Sequence, residues 1–465
     1  MRMDNRNKWD WVDITTAIFF AIFFGILFLT GEPLYLGDSY QHENQFVTRE
    51  PVYALLIQCM RWISKQYHYR LIILVQNILA IITNTIFVSF IRRYFQLKKV
   101  WQSVIILIVL MPHIMTPIAS ATNMILTNSL LSEGISFSLY PFFIMHLLRA
   151  VRSEKVLGKD SIYSLIWAVI LSLVRGQMMT LLIVWLLVIA VRAIVKQQAR
   201  KIILLIVLLG VSFTGRTFLV KTYNYVEQGL WVNTVSGQAM AVSNVIYVAD
   251  RESGDAILNE ELRELFYQIY DAAYADGMNY QFAGKGIIAR AQYHEDCHDA
   301  INFDYFSVYA KEYVSEVYGT NVEDYQRMMV ELDQVASELM KQLLPQVIGR
   351  YIWNYIAMIA VGFIRTVAYV QPIFDWYAII IYIAAVLLMI ALWHKKRDSY
   401  AAPFMAIVLL MIVGNVTATA LMLQCISRYM LYNFPLFYIA GITMLIEYAE
   451  CSRKVTDRKE NTNGL

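Results

Sequence analysis

The chain has 465 residues, of which 58% are hydrophobic and only 16% charged. A soluble domain carries about 25% charge, so this composition excludes an ordinary soluble protein. The formal net charge of +3 hides a split: residues 221–345 hold 20 acidic and 8 basic residues, and the remainder holds 16 acidic and 31 basic.

Apolar runs recur at about the 20 residues that cross the hydrocarbon of a bilayer. The alternating ~10-residue segments of a membrane β-barrel are absent. The expected class is therefore all-α, a polytopic helical membrane protein with about ten spans and a mainly helical external domain. The bases flank the apolar runs, so membrane orientation explains them better than nucleic acid does. Cys59, Cys297, Cys425 and Cys451 are scattered without a C-x-x-C pair, which gives neither a disulfide framework nor a thiolate metal site.

Arg2, Arg6 and Lys8 precede the first apolar run, 14–30, and predict a cytoplasmic N-terminus. The run is too long, and lacks the cleavage site, for a removable signal peptide. The first external loop, 32–69, is dense in ionisable and aromatic groups: Asp38, Tyr40, His42, Glu43, Arg49, Glu50 and Tyr53. A solvated connector would not need this density. Within the loop, residues 50–65 carry apolar positions at helical spacing but are too few to span, which predicts an interfacial helix.

The run 71–90 returns inward to Arg92, Arg93, Lys98 and Lys99. Residues 100–118 go out, and Pro112 and Pro117 predict a kinked or re-entrant far end. A small polar stretch, 120–129, precedes the inward run 130–148, which ends at Arg149, Arg152, Lys155 and Lys159. Two short spans, 162–174 and 178–191, are joined by Arg175-Gly176-Gln177, and 202–220 goes out again. These elements make an N-terminal membrane module, 1–220.

The acidic region 221–345 is expected to be an extracytoplasmic domain with amphipathic helices over 258–275, 304–317 and 322–344. Asn321 and Asp324 predict the N-terminus of the last of these. Gly277, Gly284 and Gly286 mark a loop. A C-terminal membrane module, 346–450, contains 351–364, then clear spans at 376–393, 401–422 and 430–446. His394-Lys395-Lys396-Arg397 and Arg453, Lys454, Arg458 and Lys459 place the next boundary and the tail 451–465 inside. With both termini inside the number of crossings is even. The clear spans number ten, seven before the acidic region and three after it. Residues 351–364 are therefore expected to lie in the outer interface or to re-enter without crossing. The alternative is that they cross and one earlier short span does not.

Several charged motifs fall near the outer ends of spans: Asp38, Arg49-Glu50-Pro51-Val52-Tyr53, Ser132-Glu133, Arg175-Gly176-Gln177 and Arg428-Tyr429. Guanidinium groups suit phosphate, because the planar fork makes paired charge-assisted hydrogen bonds. A nearby carboxylate can take a proton from a hydroxyl. The plainer reading is that each arginine snorkels to its own interface. A separate pattern, His294-Glu295-x-x-His298, has the spacing of a zinc site with a glutamate base, and Glu312 or Glu316 would be a third ligand. The more ordinary reading is a polar turn or a non-catalytic metal site.

In order and placement these motifs resemble the GT-C superfamily of membrane glycosyltransferases, the group that includes protein O-mannosyltransferases and lipid A sugar transferases. The resemblance covers roughly residues 10–220 and 376–448. It rests on an acid soon after the first span (Asp38), an R-x-P-x-Y-like motif (Arg49 to Tyr53), a Ser-Glu opening a later span (Ser132-Glu133), an arginine at a mid-chain junction (Arg175), and an R-Y motif (Arg428-Tyr429) with Pro435 after it. The first loop departs from the family's paired acids, since Asp38-Ser39 has one; Glu43 is the candidate for the second. The acidic region matches nothing in the pattern.

The resemblance implies transfer of a sugar from a polyprenyl-phosphate donor to a glycan, lipid or protein acceptor at the outer face of the cell membrane. Asp38, with Glu43, would be catalytic. Arg49, Arg175, Arg428, Glu133, Tyr53 and Tyr429 would hold the donor phosphate, sugar or lipid. No nucleic acid and no cofactor are implied, a divalent metal being the one candidate. The competing classes are a lipid-linked glycan transporter or flippase, a polysaccharide polymerase, and a zinc-dependent hydrolase built on His294 and His298.

Overall fold

A computed structural model describes residues 9–119, 124–368 and 372–463, without the side chains of 119, 372 and 454–463. Arg2, Arg6 and Lys8, part of the stretch 120–129, and the side chains of Lys454, Arg458 and Lys459 thus lie outside the described residues. Among those described there is no strand; one isolated bridge pairs Leu34 with Ser129.

The first half consists of α1 (Trp11–Thr30), α2 (Gly37–Glu43), α3 (Pro51–Ile63), α4 (His68–Tyr94), α5 (Val100–Ala119), α6 (Glu133–Arg152), α7 (Lys159–Val174), α8 (Thr180–Val195) and α9 (Lys201–Gln228). Then come α10 (Gly237–Val248), α11 (Glu260–Ala275), α12 (Ile287–Ala300), α13 (Ser307–Tyr318) and α14 (Tyr325–Val367). The chain closes with α15 (Pro372–Lys395), α16 (Ala401–Met422), α17 (Ser427–Met430) and α18 (Phe434–Asn463). Ten helical stretches among the described residues are long and apolar enough to cross a membrane. This is a multi-pass helical membrane protein.

One apolar core runs through the bundle, with Phe20, Phe143, Trp185, Phe404 and Phe437 fully buried. A second core belongs to the acidic region, where Val242, Ile246, Phe266, Phe306, Leu332 and Leu339 pack together. Two of its helices, α10 and α12, were not expected from the sequence. Residues 237–248 mix Gly, Ala and β-branched residues, whose propensity favours neither state. A π turn at 301–306 joins α12 to α13, so the expected helix over 304–317 starts at Ser307.

Two expected breaks do not occur. Pro112 and Pro117 both sit inside α5, which remains helical to Ala119. Residues 322–344 and 351–364 belong to one 43-residue helix, α14, which continues through Pro345. Proline removes one helical hydrogen bond; packing of Leu339, Leu343 and Val347 in the acidic-region core outweighs that loss.

The bundle has two chemically distinct ends. At one end Asp13 pairs with Arg92 and Arg93, His146 meets Asp160 at 2.9 Å, and Lys396 meets Glu447 at 2.6 Å. The other end carries α2, α3 and the acidic region. At 16 residues, or about 24 Å, α7 is shorter than any of those ten. It nevertheless runs from Asp160 at the basic end to Arg175 at the other. Helix α14 is one of the ten, but the contacts of its last turns lie toward the acidic-region end. Tyr355 Oη donates to Thr417 O at 3.1 Å, and seven residues further on Gly362 lies against Val416. A rise of about 10 Å along α14 thus moves one residue along α16, so the two cross obliquely. The last turn of α14 accepts a hydrogen bond from Tyr438 Oη at Val367 O (2.7 Å), only one turn into α18. Helix α15 makes the descent, ending with Lys395 beside Ser452 at 2.6 Å.

This geometry predicts labelling. Single cysteines at Glu43, Asn259, Asn321 and Phe374 should react from one side of the membrane, and at Lys98 and Lys396 from the other. Labelling at Phe374 from the Lys98 side, with Lys396 then on the other, would mean that α14 crosses.

Candidate functional site

The site is assembled by polar residues inside the spans. On α4, Gln76 Nε2 donates to Thr127 O (2.9 Å) and Ser129 O (3.0 Å), while Asn77 Nδ2 donates to Asn128 Oδ1 (3.0 Å). Asn128 Nδ2 in turn donates to Leu27 O at 2.8 Å. Buried amides in an apolar span are costly unless bonded, so these contacts fix the segment before α6. That segment sets Glu133 at the first position of α6, where the helix dipole favours a carboxylate. It also pairs with the chain leading to α2: Leu34 N donates to Asn128 O and Leu130 N to Leu34 O.

Four sequence-distant elements converge here. Glu133, 2% exposed, accepts from Arg175 Nη1 at 2.6 Å and lies 3.8 Å from Arg428 Nε. Asp38 Oδ1 lies 2.6 Å from Arg49 Nη2, and its Oδ2 lies 3.3 Å from Arg428 Nη2. The guanidinium carbons of Arg175 and Arg428 both lie 4.9 Å from the Tyr429 ring centre. Arg428 Nη2 donates to Tyr429 Oη at 2.8 Å. Three guanidinium groups against two carboxylates leave one positive charge. Burial pushes the Asp38 carboxyl up, but Arg49 and then Arg428 outweigh it and hold it below its ordinary range. Burial pushes His42 down to about 3, so it stays neutral beneath α2.

The backbone around Arg428 is held from the bundle side. Gln177 Nε2 donates to Tyr429 O (3.1 Å) and Asn415 Oδ1 (2.6 Å), and Asn415 Nδ2 donates to Tyr429 O (2.9 Å). From the acidic-region side, α12 holds the loop that precedes Arg428. Gln424 Nε2 donates to Asp299 Oδ1 at 2.9 Å. Arg365 donates to Cys425 O at 2.9 Å and pairs with Glu295 at 2.6 Å.

Other expected site residues lie elsewhere. Glu43 accepts from Tyr35 and Tyr69 at 2.8 Å and from Arg61 at 2.5 Å, a network that pins α2 to α3 and α4. Burial pushes its carboxyl up, but the tyrosine hydrogen bonds and Arg61 hold it low. Tyr53 is fully buried: its hydroxyl donates to Gln76 Oε1 at 2.9 Å and its ring meets His42 edge-on. It supports α2 from below rather than lining the charged cluster. Glu50 pairs with Arg216 of α9, both nearly fully buried. This pair was not read from the sequence, although a lone arginine within the apolar run 202–220 is the kind of residue that marks a buried partner.

The His294–His298 pattern divides between two faces of α12. His294 Nε2 meets Asn244 Oδ1 at 2.8 Å, and His298 meets Met240 O and Asp299, so both rings point into the acidic-region core. Burial holds His294 well below the usual imidazole range. Glu295 points the other way, to Arg365. Glu312 and Glu316 are exposed on α13. Among the described residues no group of three or more His, Cys, Asp or Glu is placed to hold a metal ion.

Below the cluster, a small cleft opens among α4, α5, α6 and α18, lined by Phe87, His113, Phe137, Tyr140, Tyr432 and Leu436. Phe137 stacks on Tyr432 at 3.9 Å, and Tyr432 Oη meets Ser136 Oγ at 2.6 Å. No family model matches the chain, and no curated protein and no solved structure is significantly similar to it.

The scaffold makes a sharp demand at Gly134. A Cβ there would come within 2.4–2.6 Å of the Gln76 amide, which is fixed by three hydrogen bonds. Gly134→Ala should cost roughly 1–3 kcal/mol through overpacking, read as a lower melting temperature of the purified protein. An unchanged melting temperature would show that Gln76 can turn aside.

Proposed function

We propose that the chain is a GT-C-like glycosyltransferase, taking a sugar from a polyprenyl-phosphate donor and giving it to a cell-envelope acceptor on the outer face of the membrane. Both termini are then cytoplasmic, and the acidic region is extracytoplasmic. The observation that carries the reading is the meeting of Asp38, Glu133, Arg175 and Arg428, from four distant parts of the sequence, around one partly open cluster with a positive charge to spare.

In this reading Arg428 and Arg175 hold the donor phosphate, whose negative charge grows as the bond to the anomeric carbon breaks. The cleft below Tyr432 takes the first part of the lipid chain. Asp38 accepts the proton of the acceptor hydroxyl as that oxygen bonds to the anomeric carbon, and polyprenyl phosphate leaves. Without donor, Asp38 divides its two oxygens between Arg49 and Arg428. A donor phosphate competes for Arg428 and frees Oδ2, so donor binding readies the base. Glu133 stays with Arg175 and fixes the orientation of that guanidinium. Glu43, tied to Tyr35, Tyr69 and Arg61, takes no part.

The experiment incubates purified protein with a polyprenyl-phosphate sugar and follows release of polyprenyl phosphate. Asp38→Asn should lower turnover by ~10²–10⁴-fold, the usual contribution of a general base, and leave donor binding in place. Arg428→Ala should weaken donor binding instead, and Glu43→Gln should leave turnover within a few-fold. Transport of an intact lipid-linked sugar with no release would assign the cluster to a transporter.

A further inference from the structure

We infer that a second site, built where the acidic region meets the bundle, binds the phosphate of an anionic lipid headgroup. The site is a small open cleft between α10, α12 and α14, away from the residues assigned to transfer. Tyr247, Tyr280, Arg290, Arg350, Trp353 and Asn354 line it.

Two of these are buried polar groups without a partner. Asn354 is 7% exposed and Tyr247 is 1% exposed, yet Asn354 Nδ2 and Tyr247 Oη make no hydrogen bond among the described residues. Leaving such a donor unpaired in a protein interior is costly, so their presence in one cleft points to a ligand with acceptor oxygens. The charge is of the matching sign. Arg350 is compensated by Asp250, to which it donates, and it also donates to Tyr280 Oη. Arg290 is exposed and has no carboxylate partner among the described residues. The cleft therefore keeps one uncompensated guanidinium, a group suited to phosphate.

The apolar rim argues for a lipid rather than a soluble phosphate. Next to the cleft, α14 exposes Ile348, Ile352, Trp353 and Ile356 along one helical face, each at least 40% exposed. Spacing of four, one and three residues makes this a continuous stripe. In water it would be an unpaired apolar patch; in a bilayer, acyl chains cover it. Trp353 then sits at the boundary where tryptophans concentrate, and the cleft opens at headgroup depth. The phosphate meets Arg290, Asn354 and Tyr247 while the chains lie along the isoleucines. This site does not depend on the glycosyltransferase reading, and it stands if that reading fails.

The test counts lipids retained by the full chain in native mass spectrometry after reconstitution with phosphatidylglycerol or phosphatidylcholine. The parent should retain phosphatidylglycerol in preference, and Arg290→Gln should retain one such lipid fewer, with at least a tenfold weaker binding step. Asn354→Leu should show the same loss. Arg251→Gln, an exposed arginine paired with Asp271 on the same region, should match the parent, which controls for charge alone. If Arg290→Gln and Asn354→Leu both keep the full count, no headgroup binds here and the inference is overturned. It is overturned equally if millimolar inorganic phosphate displaces the lipid, since the site would then take a free anion, or if the two lipids are retained alike.

Discussion

Glu133 is the group that the charged cluster cannot do without. It is a carboxylate taken almost wholly out of water at the start of a membrane span, and desolvating it is costly unless opposite charge meets it. Arg175 supplies that charge at 2.6 Å and Arg428 adds to it at 3.8 Å. Because Arg175 ends α7 and Arg428 lies between α16 and α18, one buried carboxylate ties together three parts of the bundle. Breaking such a pair by removing one partner typically costs 3–5 kcal/mol. The convergence of the arginines thus contributes to stability as well as offering a binding surface, and the two roles must be separated by what the cluster leaves unfilled.

The opposite end of the bundle supplies the comparison. There Asp13, fully buried, is met by Arg92 and Arg93, and Asp10 meets Arg92 at 3.0 Å. Two acids and two bases balance, and Asp10 also caps α1 through Val12 N and Asp13 N. That cluster is neutral, as a fastening should be. The cluster around Asp38 is not. Its charges do not balance, and Asp38, Arg49 and Arg428 keep between 26% and 30% of their side chains exposed. A partly open, net-positive group of arginines in contact with an apolar cleft is suited to an amphiphilic anion.

Much of this was legible in the sequence, for identifiable reasons. Span existence followed from apolar run length, which the bilayer enforces through unsatisfied backbone groups. The site residues Asp38, Glu133, Arg175 and Arg428 stood out because ionisable groups at span ends are otherwise disfavoured. What the sequence could not separate was Asp38 from Glu43. Both are acids on α2, five residues apart, and only packing shows that one meets Arg428 while the other meets Tyr35, Tyr69 and Arg61. The long α14 was divided because 322–344 reads as amphipathic and 351–364 as apolar, and a change of surroundings along one helix looks in the sequence like two elements. The fastenings of the scaffold, Gln76, Asn128 and the Glu50–Arg216 pair, were unread because most of their partners lie 50 or more residues away. The sole local signal was a polar residue inside an apolar run.

The resemblance to a zinc motif on α12 has a physical account that needs no metal. Residues 294, 295, 298 and 299 are spaced so that two neighbouring faces of one helix alternate. His294 and His298 turn inward, where Asn244 and the Met240 carbonyl receive them. Glu295 and Asp299, four residues apart, turn toward the bundle and hold the loop before Arg428 from two sides, through Arg365 on Cys425 and directly on Gln424. The pattern reads as catalytic in a linear sequence because polar residues at i and i+4 are what a metal-binding helix also requires. Here the same spacing fastens the acidic region to the one arginine that touches both carboxylates of the cluster. Cys425 and Gln424 stand three and four residues before Arg428 in the chain. The acidic region is thereby connected to the charged cluster through packed side chains and a short stretch of chain.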